Sequence, residues 1–213
     1  MVSAMNKLLL GILGAFVLFV IVVVLVGIGT YNGLVNGSQA VDAQWAQVQS
    51  VYQRRADLIP NLVATVSGAA NFEKSTLTEI TEARASVGKV QINAATAPTD
   101  PAQLAEFEKA QGALGSALSR LLVVSENYPT LRATGNFQTL QAEIEGSENR
   151  IAVERGRFND LARDYNASIQ RVPAVFFAAA LGFKPKAYFA AAAGAETAPT
   201  VKFDFSNPAP AKP

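Results

Sequence analysis

Hydrophobic positions follow two regimes along this chain: one continuous block near its start, then helix-period stripes flanked by polar faces. The block, residues 8–28, reads LLLGILGAFVLFVIVVVLVGI, 21 residues without a charge. A bilayer core about 30 Å thick is crossed by roughly 20 apolar residues in a helix, so the block is predicted to be a transmembrane helix. A cleaved secretory signal is the competing reading. Signal cores are shorter, about 7–15 residues, and end at a small-x-small site. This run is longer, and Gly29-Thr30-Tyr31-Asn32 makes a poor cleavage site.

Beyond the block, four segments repeat apolar residues at steps of three and four, the period of a bundle helix. Residues 31–70 carry Leu34, Ser38, Val41, Trp45, Val48, Tyr52, Arg55, Ile59, Leu62 and Val66. Eight of these ten are apolar or aromatic, so they form a predicted seam. The pattern resumes in phase after Pro60, which is therefore expected to kink the helix rather than end it. Residues 73–91 carry Leu77, Ile80, Ala83, Arg84 and Val87 along one side. After a loop at 93–100, Asp100 and Pro101 make a helix start. Residues 101–128 carry Leu104, Phe107, Gln111, Leu114, Leu118, Leu121, Ser125 and Tyr128, with Pro129 as terminator. Residues 137–172 carry Phe137, Leu140, Ile144, Ser147, Ile151, Glu154, Phe158, Leu161, Tyr165, Ser168 and Val172. No stretch sustains period-two alternation. The predicted fold class is all-α: an N-terminal transmembrane helix followed by an antiparallel up-and-down bundle of long helices. The predicted divisions are a short flank at 1–7, the transmembrane helix at 8–28, the bundle at 29–183, and an Ala/Pro-rich tail at 184–213 expected to be disordered.

Composition narrows the chemistry. With 213 residues, one span plus one modest domain is expected. The chain has no cysteine and no histidine, which excludes disulfides, thiolate zinc sites, cysteine nucleophiles and Ser-His-Asp catalysis. Carboxylate or lysine chemistry survives that exclusion, but Glu143, Glu145, Glu148 and Glu154 on one helix read as surface charge pairing. A di-metal bundle site would want Glu-x-x-His pairs, so no cofactor and no metal is expected. Basic and acidic residues nearly balance, 18 against 17, without a basic patch interleaved with aromatics, so nucleic acid is not an expected partner. The expected partners are membrane lipid through the N-terminal helix, other envelope or membrane proteins, and a second copy of the chain. Lys7 precedes the block and the next basic residues are Arg54 and Arg55. The positive-inside rule then places the bundle outside the cytoplasm.

Several strings occur in order: Tyr31-Asn32-Gly33-Leu34-Val35; Gln53-Arg54-Arg55-Ala56-Asp57-Leu58-Ile59-Pro60-Asn61-Leu62-Val63; Glu82-Ala83-Arg84-Ala85; Tyr128-Pro129-Thr130-Leu131-Arg132-Ala133; Glu143-Ile144-Glu145-Gly146-Ser147-Glu148-Asn149-Arg150-Ile151; Tyr165-Asn166; and Gly182-Phe183. In these the chain resembles the LemA family of bacterial membrane proteins, from the span to Phe183. The resemblance implies a single N-terminal helix in the bacterial inner membrane and a long antiparallel bundle beside it. It implies no settled activity, and a relative that takes part in making magnetosome membranes hints at membrane organisation. The chain departs from the family pattern at Arg157-Phe158-Asn159, where a Tyr-Asn pair is expected. Any hydrogen bond made by that tyrosine hydroxyl is lost here.

Two sets of residues stand out as candidate sites. Arg55, Arg84 and Glu154 interrupt otherwise apolar seams, and a charge in a bundle core is costly unless paired. One reading is an internal ion-pair network joining Arg55 and Arg84 to Glu154 or Glu148, fixing helix register. The other is that helix drift carries these residues to the seam's edge, where their charges reach water. The second set surrounds the short apolar segment 175–181. In an up-and-down bundle the last helix returns towards the membrane, so Phe176, Phe177 and Phe183, with Lys184 and Lys186, would suit an interfacial contact. Tyr31 fits the same boundary. The alternative is that the segment caps the open end of the bundle.

Overall fold

In the computed structural model of the chain, residues 2–68 and 72–190 are described, with side chains from Leu9 onward. The described residues are helical with no strand. Five helices follow one another: α1 (Val2–Ser67), α2 (Lys74–Lys89), α3 (Pro101–Ser125), the single turn α4 (Pro129–Arg132) and α5 (Gly135–Gln170). A 3-10 turn at Ala174–Phe176 follows α5.

The span and the first bundle helix, read from sequence as two segments, are one uninterrupted helix. It runs through Pro60, whose ring lies on the exposed side, and stops at Ser67. The predicted seam is the buried face: Leu34, Val41, Trp45, Val48, Tyr52, Arg55, Ile59, Leu62 and Val66 are all buried. The apolar side chains of the span itself are exposed, Leu10 at 73% and Phe19 at 64%, as expected of a lipid-facing helix rather than a core one.

α5 packs antiparallel along α1, and α2 packs antiparallel along α3. Asp100 caps α3 by accepting from the Ala102 amide at 2.9 Å, with Pro101 in the first turn, as the sequence signals imply. Two apolar clusters fill the bundle. The distal one gathers Ile59, Leu62, Ile80, Leu114, Leu118, Phe137 and Ile144. The other centres on Trp45, fully buried against Phe107 and Phe158, with its indole donating to the Asn93 carbonyl at 2.8 Å.

The structure moves two predicted boundaries. Val172, placed on the α5 seam, is 75% exposed. α5 ends at Gln170 and Arg171 is extended: a helix continued to Pro173 would lack that residue's N–H and drive its ring against the Ile169 carbonyl. The tail also begins later than 184. Residues 184–190 form an extended strap against the bundle, burying Lys186, Ala187 and Phe189. The remainder of the expected disordered tail, 191–213, lies outside the described residues.

A Schellman turn starts the strap. The Phe183 amide donates to Ala178 and the Gly182 amide to Ala179, with Gly182 at φ +85°. This pair of bonds closes a helical turn on a left-handed residue, a position glycine fills without a Cβ clash. The chain then runs back up α5.

Candidate functional site

Three helices meet at a charged centre midway along the bundle. α1 supplies Tyr52 and Arg55, α3 supplies Glu108 and Gln111, and α5 supplies Glu148 and Arg155. Each pair is three or seven residues apart, so each lies on one helix face. Arg55 is 2% exposed. Its Nη1 pairs with Glu148, and its Nη2 donates to the Gln111 side chain and, at 3.3 Å, to the Gln111 carbonyl. Its Nε is buried without a hydrogen-bond partner among the described residues. Arg155 pairs with Glu108. The two ion pairs tie α1 to α5 and α5 to α3 around a cleft of about 130 Å³. Burial pushes the Tyr52 hydroxyl pKa up, and the nearby Arg155 and Arg55 guanidinium groups only partly offset it. Two cations facing two carboxylates leave the centre neutral, and the attraction within each pair offsets part of what burial costs its charges.

Of the four charges singled out from sequence, the structure brings Arg55 and Glu148 together. Arg84 is exposed on α2 and makes no ion pair among the described residues. The buried side of α2 runs through Thr76 and Ile80 with the half-buried Ala83 and Val87, and Arg84 lies one residue, about 100°, past Ala83. Glu154 is half-buried and lies apart from the centre, accepting from Gln44 Nε2 at 2.6 Å and pairing with Arg157 at 2.9 Å.

The strap forms a second site that the seam pattern missed. Asn166 Nδ2 donates to the Lys186 carbonyl at 2.8 Å while its Oδ1 accepts from the Lys186 amide at 2.8 Å. Asn159 repeats this with Phe189, at 3.0 and 2.9 Å. The two asparagines are seven residues apart on a helix, about 10.5 Å of rise. Lys186 and Phe189 are three residues apart in extended chain, about 10 Å. The two repeats match, so α5 offers the strap an edge much as a neighbouring strand would. Lys186 is buried, not interfacial: its Nζ meets Asp42 at 2.7 Å. The Ala187 amide donates to Pro98 at 2.8 Å, and Arg155 stacks on the Phe189 ring at 4.5 Å. The strap thus joins α1, α5 and the loop between α2 and α3. The sequence signal was available in the asparagines of Phe158-Asn159 and Tyr165-Asn166, one helical heptad apart. Phe158, in place of the expected tyrosine, sits fully buried between Trp45 and Phe189.

The candidates for an interfacial contact lie just beyond the C-terminal end of α5. Phe183 packs edge-on against Tyr31, ring centroids 5.7 Å apart. Phe176 is 79% exposed, Phe177 and Phe183 are half-buried and Lys184 is exposed. Among the described residues no group of three or more carboxylates is gathered where it could hold a metal ion.

The model of the LemA family matches residues 44–203. Magnetosome protein MamQ of Magnetospirillum gryphiswaldense is 26% identical over 178 residues, covering 75% of this chain and 64% of that protein. Magnetosome protein MamQ 1 of Paramagnetospirillum magneticum is 27% identical over the same shares. The chain therefore spans under two thirds of the length of these magnetosome relatives. Protein LemA of Metamycoplasma hominis is 24% identical over 159 residues, 72% of this chain and 68% of that one.

Proposed function

Since the chain belongs to the LemA family, we propose that it works by binding rather than catalysis, as a membrane-anchored scaffold or adaptor that presents bundle faces to other proteins of the bacterial cell envelope. The observation that carries this reading is the continuity of α1. One helix is both anchor and first bundle helix, so the bundle is held at a set angle to the bilayer instead of trailing on a flexible linker. The charged centre and the strap favour a rigid body whose outer faces keep fixed positions. Lys7 before the span supports placing the bundle on the extracytoplasmic side of the inner membrane.

In-cell photocrosslinking from Val123 on α3 and Val153 on α5, both exposed, tests the proposal. A reproducible adduct with a different envelope protein, lost when the neighbouring surface is changed, is the expected result. Absence of any foreign adduct from either face overturns it. The likeness to magnetosome proteins favours a second reading, self-assembly that organises membrane. Ladders made of this chain alone in the same experiment would select it.

A further inference from the structure

The membrane end of the bundle has a composition of its own. Asp42 is the first acidic residue of α1, and no Asp or Glu occurs between Asp164 and Glu196. Lys186 is already paired with Asp42. The exposed charges of this end are therefore Arg171 and Lys184, both positive. The same end concentrates exposed apolar side chains. Val172 (75%), Val175, Phe176 (79%) and Leu181 are all uncovered, whereas the rest of the described bundle beyond Tyr31 exposes Val123, Val153 and Tyr188 to a similar degree, scattered singly.

Capping of the bundle does not account for these residues. The inward-facing Ala174 and Ala178 are buried in the core, with Phe177 and Phe183 packed against it. They close the open end, and the other four point away from it. Their level is set by two contacts. The Tyr165 ring packs against Gly37, and continuing that antiparallel register brings the end of α5, Gln170, level with Asn32. The Tyr31 and Phe183 rings touch there. Tyr31 lies three residues past the apolar run, about 4.5 Å of helix rise, so the patch is level with the bilayer boundary.

We propose that this collar, Val172, Val175, Phe176 and Leu181 flanked by Arg171 and Lys184, seats in the headgroup region of the bilayer that α1 crosses and prefers anionic lipid. Apolar side chains with basic neighbours at an interface gain from both acyl burial and attraction to anionic headgroups. The collar gives the bundle a second attachment beside its helix, and it rests on α1 being a membrane span.

The chain has no cysteine, so single probes can be placed in the full-length protein. Phe176→Cys and Leu181→Cys, with Val153→Cys as the distant control, are labelled with the polarity-sensitive fluorophore NBD. The proteins are reconstituted into vesicles of phosphatidylcholine, alone or mixed with phosphatidylglycerol, carrying a shallow doxyl-lipid quencher. Tryptophan emission from buried Trp45 reports that each variant is folded. The expected result is blue-shifted emission at 176 and 181, quenched severalfold more than at 153. Phosphatidylglycerol should deepen the quenching, and the Arg171→Glu/Lys184→Glu variant should lose that increment. Equal quenching at 176 and 153 overturns the proposal. A blue shift without lipid quenching also overturns it, since a protein surface then covers the patch. Quenching indifferent to phosphatidylglycerol overturns the anionic preference. Full-length protein that washes off vesicles in alkaline carbonate would sink the span itself, whereas firmly inserted protein with an unquenched 176 probe removes only the collar.

Discussion

Arg55 is held by what surrounds it, and its neighbours make different predictions. Removing Glu148 leaves a buried guanidinium with Gln111 as its hydrogen-bond partner and the Tyr52 ring at 5.3 Å. Because the Glu148 side chain is 46% exposed and water can partly replace it, Glu148→Ala should cost about 1–2 kcal/mol, less than the roughly 3–5 of a fully buried pair. Arg55→Met removes the charge together with its orphaned Nε and should be near neutral. Combining the two should restore most of the Glu148→Ala loss, which urea unfolding of the four proteins in one detergent would show. Asn166→Ala removes three hydrogen bonds to the strap, two of them buried, and should cost about 1–3 kcal/mol. Hydrogen exchange at the Lys186 amide should rise with it. The Tyr52 hydroxyl adds a pH dependence. Its ordinary pKa is 10.0, and burial raises it in the folded state. Above pH 10 the unfolded chain releases this proton before the folded one does, so stability falls as pH rises through the folded value. Below pH 10 the contribution is fully present. Tyr52→Phe should therefore flatten the alkaline fall in melting temperature measured by circular dichroism.

Among the elements, the helices were the legible part. Steps of three and four identified the buried faces of α1, α3 and α5 almost residue for residue, because in a bundle burial and helical phase are the same variable. Departures occur where another constraint takes over. Pro173 cuts α5 short before Val172, and α2 turns Arg84 outward because its buried side passes through Thr76 and Ile80. The strap was illegible for a different reason. Its sequence, Lys184 to Ala190, has no period of its own, and its position is dictated by asparagines on another element. In the charged centre, Arg55 stands out of its seam's pattern and Glu148 enters only as a candidate partner for it, whereas Glu108 and Arg155 lie off the seams and only the helix arrangement brings them together. The turn that launches the strap carries its own prediction. Gly182→Ala forces a Cβ into a left-handed conformation and should destabilise by about 1 kcal/mol, with faster proteolysis within 184–190.

For the whole molecule, the strap acts as a clasp between the α1–α5 pair and the loop that joins α2 to α3. A chain stopped after Phe183 loses Phe189 from the side of Trp45, an aromatic contact at 6.0 Å. Trp45 is the sole tryptophan, so red-shifted emission and stronger acrylamide quenching are the expected readouts, and unchanged emission would show that the strap leaves the core intact. The unbroken α1 has a consequence at the same scale. From Thr30 to Ser67 it extends about 55 Å beyond the bilayer boundary. A change of about 10° in span tilt, as a thicker or thinner bilayer would impose, swings its far end by roughly 10 Å. The molecule is in that sense a pointer whose pivot is the membrane, and its reach from the surface depends on the lipid in which it stands.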